Sequence, residues 1–370
     1  MDAVSIIIIL GIVQGFFLGV VFLFLKRENH RANTILGLLF ILFSVSIVHF
    51  LLLRTDAYQS YPWLIGISFP VLFLFGPLYY FYGIILINRD YKFSPKDLLH
   101  LVPFLLLALF TLPVLLSPAE EKIKFMSEID SGKESAAQVV IGVIQIFHLF
   151  AYLIAMQIRL KKYRSNLIDI RAETEKINLT WLYTVTFFFL VIFGFMLLLL
   201  LLWFFGFETV KLYSLIVPIL VSIVIYCSGY TALIQNEILF SNDEINRLEG
   251  KKYEKSSLTK EKSEVIKNQL LSLLKEEKIH LDPEVSLARL SKKLEVSSNH
   301  LSQVINDNLG VTFFDLINSH RIEESKKMLK ENQNFTILAI ANDCGFNSKS
   351  AFNSAFKKFT GLTPSAYKSR

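Results

Sequence analysis

Two cysteines in 370 residues, Cys227 and Cys344, are too few for a disulfide framework or a thiolate metal site. One lies in an apolar run and the other in a polar helical pattern, so they are not expected to pair. The chain also lacks a glycine-rich phosphate loop, a metal-ligand cluster and a nucleophile motif, which excludes the common enzyme classes and implies no cofactor. No nucleotide-binding region follows the apolar part, which disfavours a histidine kinase. No lysine lies inside the last apolar run, since Lys211 precedes it, and a retinal Schiff base is thereby disfavoured. Charge is scarce as well: 19% of residues are charged, and the net +6 divides evenly on either side of Gln235. So small an excess does not by itself indicate nucleic-acid binding.

What is abundant is apolar side chain. The hydrophobic share is 53%, with 33 Phe, more than one soluble core of this length buries. Apolar runs extend over residues 3–25, 32–53, 63–87, 98–117, 138–158, 181–205 and 212–234. Each approaches the roughly 20 residues a helix needs to cross a hydrocarbon core of about 30 Å. Residues 1–235 are therefore expected to form a seven-helix transmembrane bundle. The first run follows Met1 and Asp2 without a basic leader and is too long for a signal core, so it is expected to persist in the mature protein. Alternate loops differ in basic content. Lys26, Arg27, Arg31, Arg89, Lys92, Lys96, Arg159, Lys161, Lys162, Arg164, Arg171 and Lys176 make twelve on one side, against Arg54, Lys122, Lys124, Lys133 and Lys211, five on the other. The richer side is cytoplasmic by the positive-inside rule. With seven crossings the amino terminus lies outside an inner (cytoplasmic) membrane, and everything after Gln235 is cytosolic. An even number of crossings would leave the tail outside.

Beyond Gln235 the composition turns polar, and residues 236–262 read as a linker. From residue 263 to 370 helical periodicity resumes and contains a repeat. Ser286, Leu287 and Leu290 match Thr336, Ile337 and Ile340 at an offset of 50. After a one-residue insertion the offset is 51: Ser297 with Ser348, Leu301 with Phe352, Val304 and Ile305 with Ala355 and Phe356, Gly310 with Gly361, Thr312 with Thr363. The pattern is a helix, a tight turn and a second helix, written twice. Ser297 and Ser348 are placed to cap the second helices, leaving their first N–H groups to a phosphate. Opposite the apolar stripe, the first copy presents Ser298, Asn299, Ser302, Gln303 and Asn306. The second presents Lys349, Ser350, Asn353, Ser354 and Lys357. Short polar and amide side chains of this kind supply the donors and acceptors that base edges require in a major groove. A helical pattern over residues 312–330 joins the copies and would span roughly 28 Å. That approaches the separation of about 34 Å between successive major grooves on one face of DNA. For one such helix alone, an ordinary solvated face is the simpler reading; the duplication at fixed offsets argues against it.

Arg321, Ile322 and Leu329, then Ile337, Ala341, Gly345 and Phe346, then Ser350, Phe352, Phe356, Lys357, Lys358, Phe359, Gly361, Thr363, Pro364, Ser365, Ala366 and Tyr367 carry a further likeness. Across about 110 residues the tail resembles the DNA-binding domain of the AraC/XylS family of bacterial transcription regulators. The resemblance implies base-reading positions at Asn299, Ser302, Gln303, Lys349, Ser350, Asn353 and Ser354, and phosphate contacts near Lys357 and Lys358. The first face holds no Arg or Lys, so the second copy is expected to supply more of the affinity.

The fold class expected is all-α throughout. Family members commonly carry a soluble sensor, and this chain has apolar spans instead, so its signal ligand stays open. The external loops are short, the longest covering about residues 118–136. Gly11, Gly15 and Gly19 permit close helix contact, through packing within the bundle or dimerisation. Gln14, His49, Gln145, His148 and Gln157 are polar groups within apolar runs and default to functional interest, with interhelical hydrogen bonding the plainer role. Pro70, Pro77, Pro103, Pro113 and Pro218 can bend their spans. The expected function is a membrane-bound, sequence-specific DNA-binding transcription regulator and one-component sensor, its partners double-stranded DNA across two adjacent major grooves and the lipid bilayer. RNA polymerase and a second copy of the chain are open as further partners. Two alternatives stand beside it: a receptor or transporter whose helical tail binds a protein, and an anchored regulator freed by proteolysis in the linker.

Overall fold

The computed structural model describes residues 2–25, 30–88, 91–131, 136–170, 172, 179–207, 210–234, 258–331 and 334–369. The linker expected over residues 236–262 therefore lies almost wholly outside the described residues. Among those described, the chain is all-helical. It divides into two compact units, one of residues 1–160 and 180–237, the other of residues 161–179 and 238–370.

The first unit holds α1 (Ala3–Phe24), α2 (His30–Arg54), α3 (Leu72–Ile87), α4 (Val102–Leu116), α5 (Ala119–Asp130), most of α6 (Ala136–Leu167), α7 (Thr180–Phe204) and α8 (Val210–Ile234). Among the described residues, six helical stretches are long and apolar enough to cross a membrane: Ala3–Phe24, His30–Arg54, Pro95–Leu116, Ala137–Leu167, Thr180–Phe204 and Leu212–Leu233. The expected third span is different. Residues 63–71 form short turns and α3 is a helix of 16 residues, about 24 Å long at 1.5 Å per residue. Pro70 supplies no N–H to a helix extended through it, and the preceding segment closes instead through i+3 bonds such as Phe69 N–H to the Gly66 carbonyl at 3.2 Å. Gln145 on α6 braces this segment, its Nε2 donating to the Phe69 carbonyl at 2.7 Å.

The glycine stripe of α1 is used inside the unit. A Cβ at Gly11 would run into Ser222 of α8, one at Gly15 into Ser44 of α2, and one at Gly19 into Ile41 of α2. Backbones meet there because side chains are absent, so packing within the bundle accounts for the stripe. Polar groups join helices: buried Tyr79 Oη lies 2.7 Å from Thr186 Oγ1, and Gln157 Nε2 donates to the Tyr183 carbonyl at 3.1 Å on the outside of the unit. Each such bond is worth about 0.5–1.5 kcal/mol net, so the apolar packing around them dominates. The segment expected to be a plain loop at residues 118–136 contains α5. Its Met126 and Ile129 pack with Leu52, Tyr58 and Ile65 into a small folded cap. Its apolar residues, Ile123, Met126 and Ile129, recur at helical spacing.

The second unit contains α9 (Lys260–Glu276), α10 (Leu287–Lys293), α11 (Ser298–Gln303), α12 (Phe313–Glu331), α13 (Ile337–Asp343), α14 (Lys349–Thr360) and α15 (Pro364–Lys368). Ser or Thr begins nearly every helix. The hydroxyls of Thr259, Ser286, Ser297, Thr336, Ser348 and Thr363 each accept the N–H three residues on, taking one first-turn donor that lacks an intrahelical partner. Gly310 and Gly361, at φ +68° and +74°, end the second helices of the two pairs with a left-handed residue. Helices α10 and α11 precede the 19-residue α12, and α13 and α14 follow it, giving a first and a second helix pair.

Each pair has its own packing. Phe346, Phe352 and Phe356 join Ile322, Leu329, Ile340, Ala341 and Cys344 in one buried cluster, closed by Tyr367. Around the first pair Ile266, Leu270, Leu274, Leu287, Leu290, Leu301, Val304, Ile305, Phe313 and Ile317 are buried. Arg321, fully buried on α12, donates to the carbonyls of His280 at 2.6 Å and Asp282 at 2.9 Å and lies over the Phe346 ring. It ties the turn ahead of the first pair to the core of the second. Residues 161–179, the end of α6 and the segment leading to α7, belong to this unit as well. Tyr163, Leu167, Ile170 and Ala172 are buried, the Leu287 N–H donates to the Ile170 carbonyl and the Phe314 N–H to the Ile168 carbonyl.

Candidate nucleic-acid interface

The turn between helices sets the angle at which the second helix of each pair is presented. In the second pair that turn is made by Gly345 at φ +84°. A Cβ there would stand 2.6 Å from the Leu281 carbonyl oxygen, so glycine is required by both conformation and space. In the first pair the matching residue, at the offset of 50, is Glu295 at φ +58°. A side chain in the left-handed region costs about 1–2 kcal/mol.

The second helices carry the expected reading residues, and they differ. On α14, Lys349, Ser350, Ser354, Lys357 and Lys358 are exposed and Asn353 is half-buried, while Phe352, Ala355 and Phe356 point inward. This face matches the sequence expectation. Ser348 caps α14 through the Ala351 N–H at 3.0 Å. Lys358 is engaged within the unit: its Nζ sits 2.5 Å from the Asp315 carboxylate and over the rings of Phe314 and Phe359. A phosphate there competes with an existing ion pair, whereas Lys349 and Lys357 project outward.

On α11, Asn299 is exposed and Gln303 half-buried, but Ser298 and Ser302 are not on the surface. Ser298 is 8% exposed and its hydroxyl pairs with Ser291 on α10 at 2.7 Å; Ser302 is 3% exposed. Their expected outward placement is corrected. Ser298 stands three residues before Leu301 and Ser302 three before Ile305, spacings that put them on the apolar stripe. Serine is small enough to be packed there, and the hydroxyl pair satisfies polar atoms that burial would otherwise leave unbonded. The Ser297 hydroxyl accepts the His300 N–H at 3.1 Å, as expected for a cap. Past Gln303 the helix widens into a π-type turn, Val304–Asn308, which α14 does not share. Asn306, on that turn, donates toward Ser302 Oγ at 3.4 Å. Lys292 is exposed in the last turn of α10; a reading confined to the second helices omits it because it lies on the first.

Polar groups on a paired-helix scaffold, with two lysines exposed on one face, suit contact with a polyanion more than with a small ligand. No group of three or more His, Cys, Asp or Glu residues is arranged to hold a metal among the described residues. Residues 290–370 match the helix-turn-helix domain family. The tail is also similar to an HTH-type transcriptional regulator of Staphylococcus aureus (strain COL), 38% identical over 90 residues, or 24% of this chain and 12% of that protein. It is 27% identical over 88 residues, 24% of this chain and 35% of the other, to the probable transcriptional regulator LumQ of Photobacterium leiognathi. Among solved structures, it is similar to the C-terminal domain of AraT, a response regulator from Geobacillus stearothermophilus. That match is 25% identical with a TM-score of 0.26, over 31% of this chain and 88% of the other. A second is the C-terminal domain of the two-component response regulator yesN from Fusobacterium nucleatum, 31% identical with a TM-score of 0.25, over 28% and 95%. The chain spans about one eighth of the length of the staphylococcal relatives it matches. The helix-turn-helix match and the two similar transcriptional regulators support DNA-binding transcription regulation.

Proposed function

We propose that the protein is a membrane-bound, sequence-specific DNA-binding transcription regulator in which helices α1 to α8 couple a signal to the tail. The observation that carries the reading is one chain holding both long apolar helices and a duplicated helix pair within a helix-turn-helix match. Asn299 and Gln303 on α11 and Lys349, Ser350, Asn353 and Ser354 on α14 are the base-reading side chains, with Lys357 on phosphate. The two second helices enter successive major grooves, and α12, rising about 28 Å, spaces them. The tail lies in the cytosol when α3 crosses together with the turns before it, giving seven passes. Six passes would return it to the side of the amino terminus.

The test is selection from random-sequence DNA by the full-length protein in lipid nanodiscs, followed by titration of the enriched site. A preferred site bound at least roughly a thousandfold more tightly than bulk DNA supports the reading. Equal binding to all sequences overturns it. Reporter fusions after residue 60 and after residue 370, assayed for which side of the membrane they reach, decide the number of passes.

A further inference from the structure

The connection between α6 and α7 does more than turn the chain. The first N–H groups of a helix have no intrahelical acceptor and must find one elsewhere. In α10 the Ser286 hydroxyl takes the Arg289 N–H, while the Leu287 N–H donates to the Ile170 carbonyl at 3.1 Å. In α12 the Thr312 hydroxyl takes the Asp315 N–H at 3.1 Å, while the Phe314 N–H donates to the Ile168 carbonyl at 2.9 Å. One turn further along α12, Asn318 is 1% exposed and its Nδ2 donates to the Ala172 carbonyl at 2.9 Å. The side chains of Leu167 and Ile170 are 1% and 0% exposed. Three backbone acceptors, at residues 168, 170 and 172, and two apolar anchors thus tie this segment to the first helix of the first pair and to the connecting α12. Helix α6 runs without interruption from its apolar stretch to Leu167, one residue before the first of these acceptors.

We propose that residues 167–170 and 172 form a docked strap through which α6 and α7 regulate DNA reading: docked, it holds α10 and α12 in the arrangement that presents α11. This rests on the DNA-binding function proposed above. Release of the strap opens the start of α10 in the first pair and the start of the connecting α12, and leaves the core of Phe346, Phe352 and Phe356 intact, so the second pair keeps general affinity while bipartite reading is lost.

Hydrogen exchange and DNA titration of full-length protein in lipid nanodiscs test this, comparing wild type with Ile170→Asp and Asn318→Asp. The first variant puts a carboxylate into the buried anchor position. The second is isosteric and cannot donate to Ala172. Both are expected to speed exchange at the Leu287 and Phe314 amides roughly tenfold, with the Phe352 and Phe356 amides unchanged. Both are also expected to weaken binding to the selected site roughly tenfold. Should Ile170→Asp expose the second pair too, Asn318→Asp decides. Unchanged exchange at Leu287 and Phe314 overturns the docking, and faster exchange with unchanged binding overturns the regulation. A wild-type protein that selects no sequence defeats the DNA-binding proposal instead, and exchange alone then judges the strap.

Discussion

The two helix pairs of the tail follow one plan, with capping Ser or Thr at matching positions and a left-handed glycine after each second helix, yet each is stabilised differently. The second pair builds its own aromatic core, turns at Gly345 and presents an unbroken α14 with Lys349 and Lys357 outward. The first pair turns at Glu295 in a strained conformation, buries Ser298 and Ser302, widens past Gln303 and takes a helix cap from residue 170, while the connecting α12 takes one from residue 168. A duplicated motif has thus separated into a self-contained half with the charge to attract DNA and a dependent half whose geometry other elements can alter. In a regulator the second arrangement is where control is most easily applied, since the least self-sufficient unit responds to the smallest energy.

The largest expected break in the comparison comes at the two turns. Gly345→Ala adds a Cβ against a backbone oxygen at a left-handed position and should cost about 3 kcal/mol, read as a lower urea midpoint of the tail. Glu295→Gly, at the matching position, should instead raise stability by about 0.5–1 kcal/mol, because relief of left-handed strain exceeds the extra chain entropy of glycine. Equal effects of like sign would mean that the turns are not equivalent.

Next is the division of reading. Lys349→Ala and Asn353→Ala should each cost about 1–3 kcal/mol on the selected site and relax preference at particular base pairs. Asn299→Ala and Gln303→Ala should cost less, reflecting the smaller face of α11. Lys357→Ala should weaken all sequences alike and lower the salt slope by about 1. Titrations against the selected site and a scrambled one, at several salt concentrations, distinguish these classes.

A pH effect sharpens the contrast further. Burial pushes the His280 imidazole, in the turn ahead of the first pair, down to about 4 from about 6.5. The folded state favours the neutral ring, so the unfolded chain binds more protons between those values. The stability this gives is present above about pH 6.5 and is lost as pH falls toward 4. Exchange protection of α10 should therefore decline across that window before that of α14, and His280→Gln should flatten the difference. The smallest effect is expected at the exposed Lys358–Asp315 pair, where Asp315→Asn should change stability by under about 1 kcal/mol. In the same variant Lys358 is released, so DNA binding should tighten slightly at low salt.

The sequence carried much of this plan because its signals are local. The capping hydroxyls, the two glycines and the offsets of 50 and 51 act within a few residues, and each reappears in the structure at its expected place. Apolar length likewise located most of the long helices. Three features were less legible, and only the first depended on distant partners. The strap reads as an ordinary basic loop, because the anchoring Ile170 and the carbonyls of residues 168 and 172 gain meaning only beside Leu287, Phe314 and Asn318. The inward rotation of Ser298 and Ser302 was visible in their spacing from Leu301 and Ile305, but a six-residue helix gives the apolar period under two turns in which to set its phase. The shortness of α3 follows from Pro70 and Gly66, which interrupt the helix without interrupting the apolar run.

The central claim, one chain reading two grooves with unequal helix pairs, is tested most directly by the site that full-length protein in nanodiscs enriches from random DNA. The account predicts two short conserved blocks about one helical turn, roughly 10 base pairs, apart, with Lys349→Ala and Asn353→Ala degrading one block and Gln303→Ala the other. A single block, or blocks that both respond to the α14 substitutions and neither to Gln303→Ala, would contradict it.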